Sequence, residues 1–158
     1  MRHETRLRRQ PFTLALAIVV GAAAVSLAGT GPAASTRASD DPALRWGPCP
    51  AFMPEGCAIA VLHGDPAEPN ADVLFRVPAG SSIPSHWHNS AERMVLVAGD
   101  MTVRYDGHEP ASLRPGSYAY GPAKLPHTAR CSAAAPCVLF IAFEGPVDTF
   151  ATSDGRAR

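Results

Sequence analysis

Apolar and polar residues alternate with a period of two over two segments in the middle of the chain. Residues 71–80, "ADVLFRVPAG", show this period, and so do residues 92–107, "ERMVLVAGDMTVRYDG". A period of two is typical of a half-buried β-strand. Gly99-Asp100 interrupts the longer segment with tight-turn residues, so the pattern there predicts two strands joined as a hairpin.

Other apolar runs bounded by turn residues predict further strands at residues 57–64, 115–122 and 137–145. The last of these runs is almost unbroken, which indicates a buried strand. No segment shows a convincing amphipathic helix. Short strands at close spacing, with turn residues between them, favour an all-β fold, either a small antiparallel sandwich or a barrel.

Composition and charge narrow the class of protein. The chain has 158 residues, of which 18% are charged, and its formal net charge is zero. This suits a single globular domain, and the neutral balance gives no basic surface for nucleic acid. The 16 prolines and 13 glycines interrupt the chain often, which favours short strands and turns over long helices.

The first 38 residues resemble a signal peptide followed by a processing region. An arginine-rich start precedes the uncharged apolar run 12–28, and small polar residues follow. This order is typical of a cleaved secretory signal, and a single membrane anchor is the alternative. Arg8-Arg9 leaves the twin-arginine and the general secretory routes both open. We expect a secreted or cell-envelope protein that is free of the membrane after cleavage.

Residues 39–158 are then expected to form the mature domain, with a loose tail over 151–158. Its four cysteines are Cys49, Cys57, Cys131 and Cys137. An even number of cysteines in an exported domain suggests disulfides, and four allow three pairings. The local pairing, Cys49–Cys57 with Cys131–Cys137, is favoured because each pair closes a turn-like loop. A four-thiolate zinc site, or free thiols in a cytoplasmic chain, are the alternatives.

Candidate metal ligands lie in "SHWHNSAER", residues 85–93. His86 and His88 are two apart in a region expected to be a strand, so both imidazoles point to the same face. The link "NSA" can return the Glu92 carboxylate toward the same point. Two imidazoles and a carboxylate form many open transition-metal sites. His127, after the proline-rich turn "GPAKLP", is a candidate fourth ligand.

These residues also have interpretations without a metal. Glu92 could be a surface partner of Arg93 or Arg104, and a histidine in a barrel is more often packed or exposed than a ligand. His3 lies in the signal, and His63 and His108 are expected in turns, so these three histidines are interpreted as packed or exposed residues and not as ligands. Trp87 and Asn89 alternate away from the ligands, so they are expected to face outward or to line the rim.

The spacing of these residues resembles the first motif of the cupin superfamily. The chain has Gly80, five residues, His86, one residue, His88, three residues, Glu92, six residues and Gly99. The turn Pro115-Gly116 followed by His127 is similar to the second motif. It departs from that motif in the offset of Gly107 and in the absence of an asparagine after the histidine. Residues 44–66 also resemble the start of small single-domain cupins.

The resemblance implies a single-domain cupin β-barrel, a double-stranded β-helix or jelly roll of two antiparallel sheets, with its motif core at about 70–145. One divalent transition metal would be bound inside by His86, His88, Glu92 and His127. This nitrogen and oxygen ligand set suits Fe, Mn, Ni, Zn or Cu. The positions expected to fill the barrel are Phe75, Val95, Val97, Tyr118, Tyr120, Phe140 and Ala142.

Three functions are compatible with such a barrel. The first is a metal-dependent, dioxygenase-type enzyme for a small organic substrate, with Glu92 as a possible general base. The second is a non-catalytic cupin that binds a small ligand or a metal. The third is a structural module that forms a homodimer, which would also protect edge strands. Tyr118, Tyr120 and Lys124 are the other groups near the motifs with proton-transfer chemistry.

Overall fold

A computed structural model describes residues 33–152 of the chain. Most of the expected signal and processing region therefore lies outside the described residues, as does the end of the expected tail, 153–158. From residue 35 onward, the described residues belong to one compact unit. Within residues 33–152, no helix has the length and apolar character needed to cross a membrane.

Residues 33–152 form eleven β-strands and no α-helix. The strands are β1 Trp46–Pro48, β2 Ala58–His63, β3 Asp72–Val77, β4 Ser82–Trp87, β5 Glu92–Ala98, β6 Met101–Tyr105, β7 Ala111–Leu113, β8 Tyr118–Gly121, β9 His127–Cys131, β10 Cys137–Phe143 and β11 Phe150–Ala151. The strand segments predicted from the hydrophobic pattern correspond to β2, β3, β5, β6, β8 and β10. The very short strands β1, β7 and β11 carry too few residues to show a period.

Two antiparallel sheets pack face to face. One has the strand order β1-β2-β3-β10-β5-β8, and the other has the order β11-β4-β9-β6-β7. Their inner faces share one hydrophobic core, whose buried members include Val73, Val77, Ile83, Met94, Leu96, Met101, Val103, Leu139, Ile141 and Phe143. The all-β prediction of two antiparallel sheets is confirmed.

The predicted hairpin between β5 and β6 is wrong. β5 pairs with β10 and β8 in one sheet, whereas β6 pairs with β9 and β7 in the other. The turn at Gly99-Asp100 therefore carries the chain from one sheet to the other. Gly99 has φ +80, and a Cβ there would lie 2.6 Å from the main-chain oxygen of Pro136. A glycine is needed for both reasons, and neither reason requires a hairpin.

The predicted facing of β5 is also wrong. Met94 and Leu96 are buried, whereas Val97 is 36% exposed and Val95 is half-buried on the outer face. Side chains alternate along a strand, so a buried Glu92 places the second and fourth residues after it inside as well.

The same reversal affects β8 and β10. Tyr118 and Tyr120 are exposed on the outer face, and Phe140 and Ala142 are only half-buried. Their neighbours Ala119, Leu139, Ile141 and Phe143 line the interior instead. Of the residues expected to fill the barrel, Phe75 does line the interior.

Both disulfides of the favoured local pairing are present. The Cα atoms are 5.6 Å apart in Cys49–Cys57 and 5.8 Å apart in Cys131–Cys137, within the range for disulfide geometry. The first disulfide holds a loop that places Pro50 and Met53 in the lining of the barrel interior.

The start of the expected loose tail is ordered by hydrogen bonds. Ala151 belongs to β11 and pairs with His86 of β4, and the Thr152 main-chain N–H donates to the Ser85 oxygen at 3.1 Å. A two-residue strand has no sequence pattern of its own, so this docking depends on the neighbouring strand.

The facing of β5 can be tested with two adjacent substitutions. Leu96→Ala should lower the free energy of unfolding by about 2–5 kcal/mol, because it leaves a cavity in the core. Val97→Ala removes an outward side chain and should cost less than about 1 kcal/mol. Urea denaturation of the purified protein measures both values, and equal losses would contradict this facing.

Candidate metal centre

Three histidine side chains converge inside the barrel. His86 lies near the end of β4, His88 follows that strand directly, and His127 begins β9. His86 and His127 are cross-strand partners, and a β-bulge between Ile83 and His86 shifts the register there. The extra residue re-aims the end of β4, a common role of bulges near functional sites. Ligand atoms of the three histidines lie within 4.8 Å of one another, and all three residues are buried.

A main-chain carbonyl orients each imidazole. His86 Nδ1–H donates to the Pro84 oxygen at 2.7 Å, and His127 Nδ1–H donates to the Leu125 oxygen at 3.2 Å. His88 Nδ1–H donates to the Asp148 oxygen. Because a carbonyl can only accept, the proton is assigned to Nδ1. Each Nε2 then presents a lone pair to the interior, which is the usual arrangement of metal-binding histidines.

Glu92, the first residue of β5, brings a carboxylate to the same point. Its side chain is 3% exposed, and its oxygens lie 3.4 Å from His88 Nε2 and 3.7 Å from His127 Nε2. Burial raises the pKa of Glu92 to about 8, and the nearby Asp148 carboxylate adds to the shift. Burial also lowers the pKa of His86 to about 4 and that of His127 to about 3, because a low-dielectric interior disfavours charge.

This donor set fits a metal ion. His88 Nε2 is buried and has no hydrogen-bond partner among the described residues. The Nε2 atoms and the carboxylate oxygens are all lone-pair donors that face one another, which is unfavourable unless a proton or a cation lies between them. Three imidazole nitrogens without a thiolate suit a divalent transition metal. The three histidines predicted as ligands can therefore hold a metal ion together.

The other groups considered for proton transfer lie away from this centre. Tyr118 and Tyr120 are exposed on the outer face, and Lys124 is exposed in the loop before β9. Lys124 contributes through its main chain, since its N–H donates to the His88 oxygen at 2.7 Å. His63 and His108 are exposed. His108 lies outside the strands, as expected, whereas His63 is the last residue of β2 and not part of a turn.

The centre lies in a cavity of about 450 Å³ that runs through the barrel interior. Most of its lining is apolar, with aromatic side chains from Phe75, Tyr105, Phe143 and Phe150. The lining residues include no lysine or arginine, and Glu92 and Asp148 are the carboxylates among them. An apolar cavity with a few convergent polar groups is the usual form of a small-molecule site.

Asp148 and Phe150, at the start of the C-terminal segment, contact the end of β4 and the residues that follow it. The Asn89 main-chain N–H and side-chain amide donate to the two carboxylate oxygens of Asp148 at 2.9 and 2.7 Å. Phe150 stacks on Trp87 with ring centroids 4.5 Å apart. The hydrogen bonds between Asn89 and the Asp148 carboxylate therefore keep the Asp148 carbonyl in place against His88 Nδ1.

Sequence reasoning missed Tyr105 and Asp148. Tyr105 shares the period of Met101 and Val103 along β6, so its inward direction was visible in the sequence even though no role was assigned to it. Asp148 is separated from His88 by 60 residues, and no local pattern connects the two. Only the docking of the C-terminal segment reveals that contact.

Comparison with known proteins supports the cupin resemblance. The profile of the ChrR cupin-like domain family matches residues 36–148. Dimethylsulfoniopropionate lyase DddQ of Ruegeria pomeroyi is 27% identical over 95 residues, which cover 59% of this chain and 47% of that protein. The chain thus spans about half the length of this curated relative.

Solved structures show the same fold at low identity. The crystal structure of DddQ has a TM-score of 0.60 at 23% identity and covers 69% of this chain and 61% of its own. Polyketide cyclase RemF of Streptomyces resistomycificus has a TM-score of 0.60 at 17% identity, with coverages of 77% and 90%. Oxalate decarboxylase of Bacillus subtilis has a TM-score of 0.53 at 23% identity, with coverages of 63% and 28%. Since the family match spans most of the described residues, the chain belongs to the ChrR cupin-like domain family.

Proposed function

We propose that this protein is a metal-dependent cupin enzyme with an oxygenase-type activity on a small, mostly apolar organic substrate. The observation that carries the proposal is the convergence of three imidazole lone pairs on one point of an apolar cavity. Such a point offers both a place for a metal and a space for a substrate beside it.

Four side chains would hold the metal: His86, His88 and His127 through Nε2, and Glu92 through its carboxylate. One divalent ion, Fe, Mn, Ni, Zn or Cu, suits this set. When bound, the ion supplies Lewis-acid polarisation of a substrate oxygen and, where it is redox-active, the means to activate dioxygen.

The cavity lining favours a substrate with little charge. Without a lysine or arginine in the lining, a substrate carboxylate away from the metal would have no cationic side chain to pair with, and burying it there would be costly. Phe75, Phe143 and Phe150 offer apolar and aromatic surface instead. The substrate is therefore a small molecule whose polar atoms gather at the end that meets the metal.

Glu92 is the candidate general base. Its carboxylate is buried beside two histidines, with Oε1 3.4 Å from His88 Nε2 and Oε2 3.7 Å from His127 Nε2. A carboxylate held within reach of a reacting group in this way can take a proton from it. Glu92 would take a proton from the substrate when it is not bound to the metal.

The named reactions of the relatives differ, although their fold is shared. They are a lyase, a cyclase and a decarboxylase, so fold alone does not select the reaction. A lyase-type reaction is therefore an outcome that the experiments must be able to detect.

We also propose that the protein is exported, with residues 39–158 as the mature domain. The two disulfides support this, because such bonds persist mainly in oxidising compartments.

A homodimer is proposed on the exposed outer face of the six-stranded sheet, where apolar surface is presented by Tyr118, Tyr120 and Val97.

The metal can be tested by removing two ligands together. Protein from the full chain carrying His86→Ala and His88→Ala should contain less than about a tenth of the metal of the unaltered protein, because the remaining ligands cannot hold an ion alone. His63→Ala with His108→Ala is the matched control and should keep it. Elemental analysis gives the stoichiometry, and one equivalent in the ligand-deficient variant would place the metal elsewhere.

The reaction can be tested with Fe(II)-loaded protein and an oxygen electrode. A panel of small phenols and enolisable ketones should include at least one compound that raises oxygen consumption above that of the double-histidine variant. Loss of dimethylsulfoniopropionate without oxygen consumption would indicate a lyase instead. Binding of panel compounds without turnover would indicate a binding protein, and both results contradict the oxygenase proposal.

The contribution of Asp148 can be tested by metal affinity. Asp148→Ala releases Asn89 and loosens the carbonyl that orients His88, so metal binding should weaken roughly 10- to 100-fold. Glu144→Ala is a matched control in the same segment, because it removes only an exposed ion pair with Arg93 and should change affinity less than about threefold. Competition with a chromophoric chelator measures both, and equal affinities would contradict a positioning role.

A further inference from the structure

Tyr105 has a buried hydroxyl with no hydrogen-bond partner among the described residues. It is the last residue of β6, lines the cavity, and places its ring centroid 5.2 Å from that of His127. Nearly all buried hydroxyls in proteins are paired, and leaving one unpaired costs free energy. The position of Tyr105 beside the candidate metal centre suggests that its partner is a molecule bound there.

The Tyr105 hydroxyl and the Glu92 carboxylate both border Gly121. It lies opposite Glu92 in the pairing of β5 with β8. A Cβ at residue 121 would be 3.2 Å from Glu92 Oε2 and 3.3 Å from the Tyr105 hydroxyl oxygen. Both oxygens thus border the same point, yet no hydrogen bond joins them. The absent side chain leaves the tyrosine hydroxyl beside the carboxylate and free to donate elsewhere.

We propose that the Tyr105 hydroxyl donates a hydrogen bond to a small ligand bound at the metal centre. The inference rests on the proposed metal site. It deepens the proposed function by naming the group that recognises the metal-bound end of the substrate. Tyr105 is then a binding residue that touches the substrate.

The chemistry of the lining indicates what the ligand carries. A phenol hydroxyl is a neutral donor, so its partner is a lone-pair acceptor such as a carbonyl, enolate or phenolate oxygen. Thr149 offers a second buried hydroxyl without a partner in the same lining. Two neutral donors beside the candidate metal centre, in a cavity whose remaining lining is mostly apolar, suit a compact molecule with acceptor oxygens and no need of a cationic side chain.

Azide binding to the Co(II)-loaded protein tests this inference without any substrate. Azide adds to an open metal position, its far nitrogen can accept a hydrogen bond, and the visible absorption of Co(II) reports its binding. Tyr105→Phe should weaken azide binding roughly threefold to tenfold, the value of one ordinary hydrogen bond. Tyr120→Phe, on the exposed outer face, should leave the azide Kd unchanged. Both variants should keep the Co(II) stoichiometry.

Thermal unfolding of the metal-free protein supplies a second readout. If no group of the chain pairs with the Tyr105 hydroxyl, Tyr105→Phe should not lower the Tm and is expected to raise it. A lowered Tm would show a structural partner and overturn the inference.

Three outcomes of the azide experiment would contradict the inference. Equal azide affinity in Tyr105→Phe and the unaltered protein would overturn the inference, as would Co(II) loading without azide binding. Failure of the unaltered protein to bind Co(II) would overturn the proposed metal function as well, so the two failures are distinguishable.

Discussion

The hydrogen bond from each histidine Nδ1 to a main-chain carbonyl is the constraint on which this site depends. It fixes the tautomer, so that each Nε2 lone pair faces the interior. His86 and His127 bond to carbonyls two residues earlier, whereas His88 bonds to Asp148, 60 residues later. Two of the imidazoles are therefore oriented locally, and the third is oriented only after the C-terminal segment has docked.

The apolar interior gives these polar groups their chemical character. Burial keeps the imidazoles neutral and favours a protonated Glu92 in the absence of a cation. Within residues 33–152, the same surroundings leave the Tyr105 hydroxyl without a hydrogen-bond partner. In the described part of the chain, the buried polar side-chain atoms without a hydrogen-bond partner all belong to residues that line one cavity. A metal and a small ligand bound in that cavity would satisfy them.

One error in predicting the core could have been avoided from the sequence alone. If Glu92 is an interior ligand, the alternation along β5 requires Met94 and Leu96 to be interior too, and it sends Val95 and Val97 outward. Hydrophobicity by itself favoured the valines. The hairpin error was of another kind, because the same alternation is compatible with pairing to a neighbouring strand or to a distant one.

Local features of the sequence indicated which segments become strands, favoured the cysteine pairing that is observed, and marked the histidines and the carboxylate that are candidate ligands. These depend on alternation, short loops and spacing, which act over a few residues. The tertiary structure decided that β5 and β6 enter different sheets, that His127 lies across from His86, and that Asp148 and Tyr105 border the centre. Such contacts depend on pairing between distant strands, whose energy comes from burying both sheets together and is not encoded in any one segment.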